Sequence, residues 1–201
     1  MSFKRILSFL LCLSVLSALC SCGGDKEKRI AVIVKSSDSE FWQVFKSGVY
    51  SAATEYNVTV TFESPENEED YASQNKLISK AVDNGADAIV LSAIDRTRSA
   101  PTVNAAVRKG VKVITADSSL DSQFVSLFIG TDNPNAGAQA AKAVEDHCAN
   151  GEKIRIGIVG STEKTENLLQ RENGLREYLK NRGGVEITAS VTAESNRESA
   201  E

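Results

Sequence analysis

Four short segments of this chain carry small hydroxyl or carboxylate side chains where a strand signal ends. Ser36-Ser37-Asp38-Ser39 follows the first apolar run and Ser92-Ala93-Ile94-Asp95 the third. Asp117-Ser118-Ser119 follows the fourth, and Gly160-Ser161-Thr162 follows a later one. Ser, Asp and Asn are the residues that cap helices, so any one such loop has an ordinary structural explanation. Four together, beyond the carboxyl ends of parallel strands, form a rim of hydrogen-bonding groups suited to a small polar ligand. Glu40-Phe41-Trp42 sits beside the first loop. Its rings serve either a core or the flat C–H face of a sugar. Arg171, in Arg171-Glu172-Asn173-Gly174-Leu175, brings a guanidinium whose five fixed donors can clamp hydroxyls or a carboxylate; a solvated helix face is the plainer use.

The elements that must position these groups alternate with little interruption. Ile30-Ala31-Val32-Ile33-Val34 and Ala88-Ile89-Val90-Leu91 are continuous apolar runs, as strands covered on both faces require. Val58-Thr59-Val60-Thr61-Phe62 alternates instead, which predicts an edge strand. Val111-Lys112-Val113-Ile114 reads as the fourth strand and residues 125–129 as a fifth. Helices are expected over 41–56, over 71–84 with Asn84-Gly85 as the stop, and over 101–109 with Pro101 in the first turn and Gly110 at the end. A second section repeats the scheme. Asp132-Asn133-Pro134 opens an Ala-rich helix expected to pack close to its sheet, followed by a strand at 154–159, a helix at 165–182 and a strand at 185–191. The order predicts an α/β fold of parallel sheets flanked by helices.

The amino terminus reads as a signal. Lys4 and Arg5 precede a 14-residue apolar stretch, residues 6–19, broken only by scattered Ser, and Leu19-Cys20-Ser21-Cys22 closes it. The stretch is too short for a spanning helix, which needs ~20 apolar residues. The ending resembles a bacterial lipobox, which implies removal of residues 1–21, acylation of Cys22 and attachment of an exported protein to a membrane through that lipid. Residues 22–28 are polar and Gly-led, a flexible tether. Removing residues 1–21 takes two cations and no acid, so the formal charge moves from −4 to −6. That balance argues against nucleic acid as a partner. Beyond Cys22 only Cys148 remains, which excludes an intramolecular disulfide framework.

Val32 to Gly48 with Phe41-Trp42, Val113-Ile114-Thr115-Ala116-Asp117-Ser118, Phe128-Ile129-Gly130-Thr131-Asp132-Asn133 and Arg171-x-x-Gly174 resemble, in order, segments of the periplasmic sugar-binding protein family of the ribose-binding type. The resemblance covers nearly all of residues 29–201. It implies two Rossmann-like lobes of type I topology, residues 29–131 and a partial second lobe at 132–201, with a first hinge crossing near Thr131-Asp132. It also implies a monosaccharide closed between the lobes by Ser39, Phe41, Trp42, Asp117, Ser118 and Arg171, with no cofactor and no metal. The protein would be a monomer that hands its sugar to the membrane permease of an ABC transporter. The alternative is a sensor that presents its ligand to a membrane receptor kinase.

Three departures qualify the family pattern. Ser39-Glu40 stands where ribose binders carry Asn before Pro. Asp117-Ser118 replaces Asp-Arg and loses a bidentate donor. The chain ends at Glu201, soon after the seventh strand, where family members continue, so a fragment or truncated product is expected. Other classes fit less well. A lac-type repressor needs a helix-turn-helix ahead of Arg29, where the signal stands. A nucleotide enzyme needs a Gly-rich turn after the first strand, and a Ser hydrolase a Gly-x-Ser-x-Gly elbow. His147 with Cys148 falls near a helix end, where a cation meets the dipole favourably; two residues are too few for a metal site.

Overall fold

The β-branched runs fold as parallel strands. The computed structural model describes residues 27–147, 153–161, 166–180 and 182–193. Residues 1–21, expected to be a signal, and Cys22 and Cys148 lie outside the described residues. The first section contains β1 (Arg29–Ile33), α1 (Glu40–Glu55), β2 (Thr59–Glu63), α2 (Tyr71–Asp83), β3 (Ala88–Leu91), α3 (Ala100–Arg108), β4 (Lys112–Ala116) and β5 (Phe128–Ile129). The five strands pair in parallel in the order β2-β1-β3-β4-β5. The alternating strand is at the edge, as its wetter face requires.

Alternation along β1 splits the core into two layers. Ala31 and Ile33, with Ile89, Leu91 and Val113, pack on Ile78 and Ala81 of α2 and on Val103 and Ala106 of α3. Val32 and Val34 face the other way, onto Trp42, Phe45 and Val49 of α1. Each fully buried Val, Ile or Leu contributes ~1.5–3 kcal/mol, so the two layers together hold helices on both faces. Gly85 and Gly110 take positive φ, 75° and 92°, after α2 and α3, a conformation that side-chain-bearing residues disfavour.

The second section contains α4 (Asn133–His147), β6 (Ile154–Ser161), α5 (Glu166–Leu179) and β7 (Val185–Ala193), with β6 and β7 paired in parallel. Asp132 caps α4 by accepting from the Asn135 N–H at 3.1 Å. The Ala-rich α4, expected to pack close to its sheet, packs instead against the helix α5. A Cβ on Gly137 would overlap the Arg171 carbonyl oxygen, and one on Gly174 the Pro134 carbonyl oxygen. Helix backbones meet that closely only where side chains are absent. Among the described residues no helix is long and apolar enough to cross a membrane.

Candidate functional site

In an open parallel sheet all carboxyl ends share one rim. The chain leaves β1 toward β2 on one side and toward β3 on the other, so the crevice of this topology lies beyond β1 and β3. Gln74 of α2 ties these two ends together. Fully buried, its side-chain amide donates to the Val34 carbonyl at 3.2 Å and to the Ser92 carbonyl at 2.9 Å, while its Oε1 accepts from the Ile94 N–H at 3.0 Å.

Asp117 stands one residue past β4, with φ at +63°, the left-handed region that Asp tolerates better than most residues. The Lys35 ammonium lies 2.9 Å from its Oδ2. The same oxygen accepts from Ser92 Oγ at 3.2 Å and from Ser118 Oγ at 3.1 Å. Lys35 is 4% exposed, and Ser92 and Ser118 are 1% exposed. Three adjacent strand ends thus converge on one carboxylate.

The second section reaches the same group. Asn167, in the first turn of α5, donates its amide to Asp117 Oδ1 at 3.3 Å and approaches Oδ2 at 3.5 Å. Next to it, Glu166 accepts from Arg96 at 2.7 Å, a second link between the sections. Arg171 follows Asn167 by four residues and shares its helix face. Its Nε donates to Oδ1 of the buried Asn133 at 2.8 Å. Arg171 also lines a largely apolar hollow of about 310 Å³ between α4, α5 and β6, together with Ala140, Ile158 and Leu168. Asp117 lies outside that hollow and meets the Arg171 face of α5 through Asn167.

The other residues singled out from sequence divide. Phe41 is 56% exposed at the start of α1, with its ring edge-on to Trp42 at 4.8 Å between centroids. Trp42, read from the sequence as either a core or a crevice ring, is 3% exposed and packs with Val32, Val34 and Phe45. Its apolar body fills the layer under α1, and its indole N–H donates to Glu68 at 3.2 Å, which satisfies the buried donor. Ser39 is exposed and acts as the N-cap of α1, its hydroxyl accepting from the Trp42 N–H at 3.4 Å. Ser118 is turned into the Asp117 cluster.

Asp95 organises its own turn, accepting from the Thr97 and Arg98 backbone N–H groups at 3.0 and 2.6 Å and from the Arg98 side chain at 2.6 Å. Burial raises its carboxyl, but these donors outweigh burial and hold it below the usual carboxylate range. His147 Nδ1 lies 3.0 Å from the Ala143 carbonyl in the last turn of α4. Thr162 lies outside the described residues. Among the described residues no group of three or more His, Cys, Asp or Glu could hold a metal.

Sequence reasoning passed over Lys35, Gln74 and Asn167. Gln74 carried a usable signal, since positions 74, 78 and 81 form one inward stripe of α2.

The family profile for the periplasmic binding protein domain matches residues 30–201. The D-ribose/D-allose-binding protein of Pseudomonas aeruginosa is 25% identical over 164 residues, which are 77% of this chain and 50% of that protein. The solved sugar transporter from Clostridium phytofermentans is 30% identical with a TM-score of 0.77, covering 87% of this chain and 64% of that one. The carbohydrate transporter solute-binding protein from Agrobacterium radiobacter, solved with D-arabinose, is 27% identical with a TM-score of 0.78, covering 86% and 60%. This chain spans about half the length of the curated relatives it matches. These relatives are named for sugar binding or carbohydrate transport. With its parallel α/β sections and this match over most of its length, the chain belongs to the periplasmic binding protein family, in the type I arrangement.

Proposed function

We propose that this chain is part of an exported solute-binding protein that captures a small sugar between two lobes and delivers it to an ABC-type permease. The observation that carries the reading is the Asp117 cluster: a carboxylate at the rim of three parallel strand ends, reached from the second section by Asn167. Asp117 would accept a sugar hydroxyl on Oδ1, which among the described residues has one long contact, from Asn167, while Oδ2 already faces Lys35, Ser92 and Ser118. Arg171 and Ser118 would supply donors, and the exposed face of Phe41 would meet the C–H side of the ring. The division at residues 131 and 132 would be the first hinge crossing, about which residues 29–131 and 132–201 close. Closure buries the ligand and changes the outline that a permease recognises. Relatives solved or described with D-arabinose, D-ribose and D-allose support the ligand class. Removal of residues 1–21 and acylation of Cys22 would tether the protein to a membrane, on the strength of the Leu19-Cys20-Ser21-Cys22 ending.

Isothermal titration of the natural-length protein with D-ribose, D-allose, D-arabinose and a disaccharide tests the binding reading. Saturable heat from a monosaccharide is expected; no heat from any of them would sink it. Radiolabelled palmitate incorporated by the wild type and lost in Cys22→Ala checks the tether.

A further inference from the structure

We infer that the open edge of β2 pairs with β2 of a second copy of this chain, joining two sheets across a two-fold axis at Thr61. β2 is the outer strand of its sheet and, among the described residues, pairs with β1 alone. An unpaired strand edge is a template for another strand, and proteins guard such edges with proline, lysine or a bulge. Residues 59–63 hold no proline and no lysine, and their register with β1 runs without a bulge. Neither flanking helix covers the edge. A groove of about 410 Å³ runs along it, between Tyr50 of α1 and Lys80 and Asn84 of α2. Tyr50 is exposed there, an aromatic of the kind enriched where proteins meet.

Alternation decides which main-chain groups are free. The Thr59 N–H donates to the Lys28 carbonyl at 2.9 Å, and the Glu63 carbonyl accepts from the Val34 N–H at 3.0 Å, so the odd residues bond inward. Val60 and Phe62 therefore turn their N–H and C=O groups outward. With Thr61 on the axis, an antiparallel second copy sets its Phe62 against Val60 and its Val60 against Phe62. That register closes about four main-chain hydrogen bonds. It also places an aromatic beside a β-branched side chain twice, a favourable cross-strand pair. The ends match in charge as well. Glu63, paired with Lys80, stands at the carboxyl end of the groove, and the exposed Arg29 lines its amino end, alongside Thr59. The two-fold turns each Glu63 toward Arg29 of the other copy, so unlike charges meet at both ends. A surface that pairs with itself closes after two copies, which gives a dimer and not a fibre. The strand carboxyl ends then point to opposite ends of the pair, which leaves both crevices open. This departs from the monomer that the family resemblance implies, and it does not depend on what the crevice binds.

The test is sedimentation velocity of the natural-length protein carrying Cys22→Ala, which removes the expected lipid. Over a roughly 100-fold dilution series it should show a reversible monomer–dimer equilibrium with a micromolar dissociation constant, as a short edge contact gives. Thr61→Lys sets two like charges opposite each other and should raise that constant by about 10-fold or more. Glu63→Arg should weaken the dimer, and adding Arg29→Glu should restore it. Cysteines test the register, in a Cys148→Ser background. Residues facing each other in a pair without hydrogen bonds lie about 4.5 Å apart at Cα, within disulfide reach. Thr61→Cys should therefore cross-link to a dimer under mild oxidation, whereas Thr59→Cys, which faces Glu63 of the other copy, should not. A parent protein that stays monomeric at every concentration overturns the proposal, and so does a dimer indifferent to Thr61→Lys. Equal cross-linking from positions 59 and 61 overturns the register, and a charge swap that restores nothing overturns the contact between Arg29 and Glu63. Should Thr61→Lys fail to fold, the two cysteine variants carry the test.

Discussion

The ammonium of Lys35 sits 2.9 Å from Oδ2 of Asp117, joining the loop after the interior strand β1 to the end of β4 two strands away. Both side chains are withdrawn from solvent, at 5% and 20% exposure. Breaking such a pair leaves a buried charge without its partner, which costs more than the pair itself contributes.

Asp117→Ala should therefore act twice. Sugar affinity should fall by ~1.5–3 kcal/mol if the carboxylate accepts a ligand hydroxyl. Stability should fall by on the order of 2 kcal/mol, because Lys35, Ser92 and Ser118 lose a common acceptor. Titration calorimetry and urea unfolding separate the two. Unchanged affinity in the folded variant would take Asp117 out of the site.

Gln74→Leu should destabilise the first section without touching any group offered to a ligand. The variant leaves the Val34 and Ser92 carbonyls and the Ile94 N–H without a side-chain partner in a buried place. A loss of ~3 kcal/mol is expected, or roughly 6–12 °C in Tm for a chain of this size. A Tm within 2 °C of wild type would show that the strand ends hold together without it.

Gly174→Ala should separate α4 from α5. The added methyl group meets the Pro134 carbonyl oxygen, which is backbone and cannot rotate away. Overpacking of this kind costs ~1–3 kcal/mol. Gly183→Ala is the control, since nothing lies near a Cβ there. Equal unfolding midpoints for the two variants would contradict the close approach.

Acid should weaken the turn built on Asp95. Its folded carboxyl lies below the ordinary value, so its contribution is fully present above the unfolded value of about 4 and disappears as pH falls through the folded one. Asp95→Asn should be less stable than wild type at pH 7, with the gap closing below about pH 4. A gap independent of pH, in urea melts between pH 7 and 3, would assign the effect to shape rather than charge.

The fold was legible because parallel strands buried on both faces leave uninterrupted apolar runs, and β1 and β3 are such runs. The edge position of β2 was equally legible from its alternation. The site was legible only in part. Asp117, Ser92 and Ser118 stood out in the rim loops and Arg171 on a helix, yet Lys35 and Asn167 did not. Lys35 ends an apolar run and reads as a solvated strand terminus; only the topology brings it to Asp117. Asn167 looks like any polar residue in a first helical turn. Phe41 and Trp42 differ in burial because adjacent residues on a helix point about 100° apart, although their rings touch edge-on. Phe41 faces outward and Trp42 inward.

The strand order also governs how this chain must be assembled. β1 lies between β2 and β3, and both are synthesised after it. Every contact that shields Ile30 to Val34 therefore waits for later residues, out to Leu91 at the far side of β3. No hairpin protects the run in the meantime, and pairings this distant form slowly. The nascent segment consequently exposes a sticky β-forming stretch for longer than a locally folded helix would, and a holding chaperone is the natural guardian of that interval.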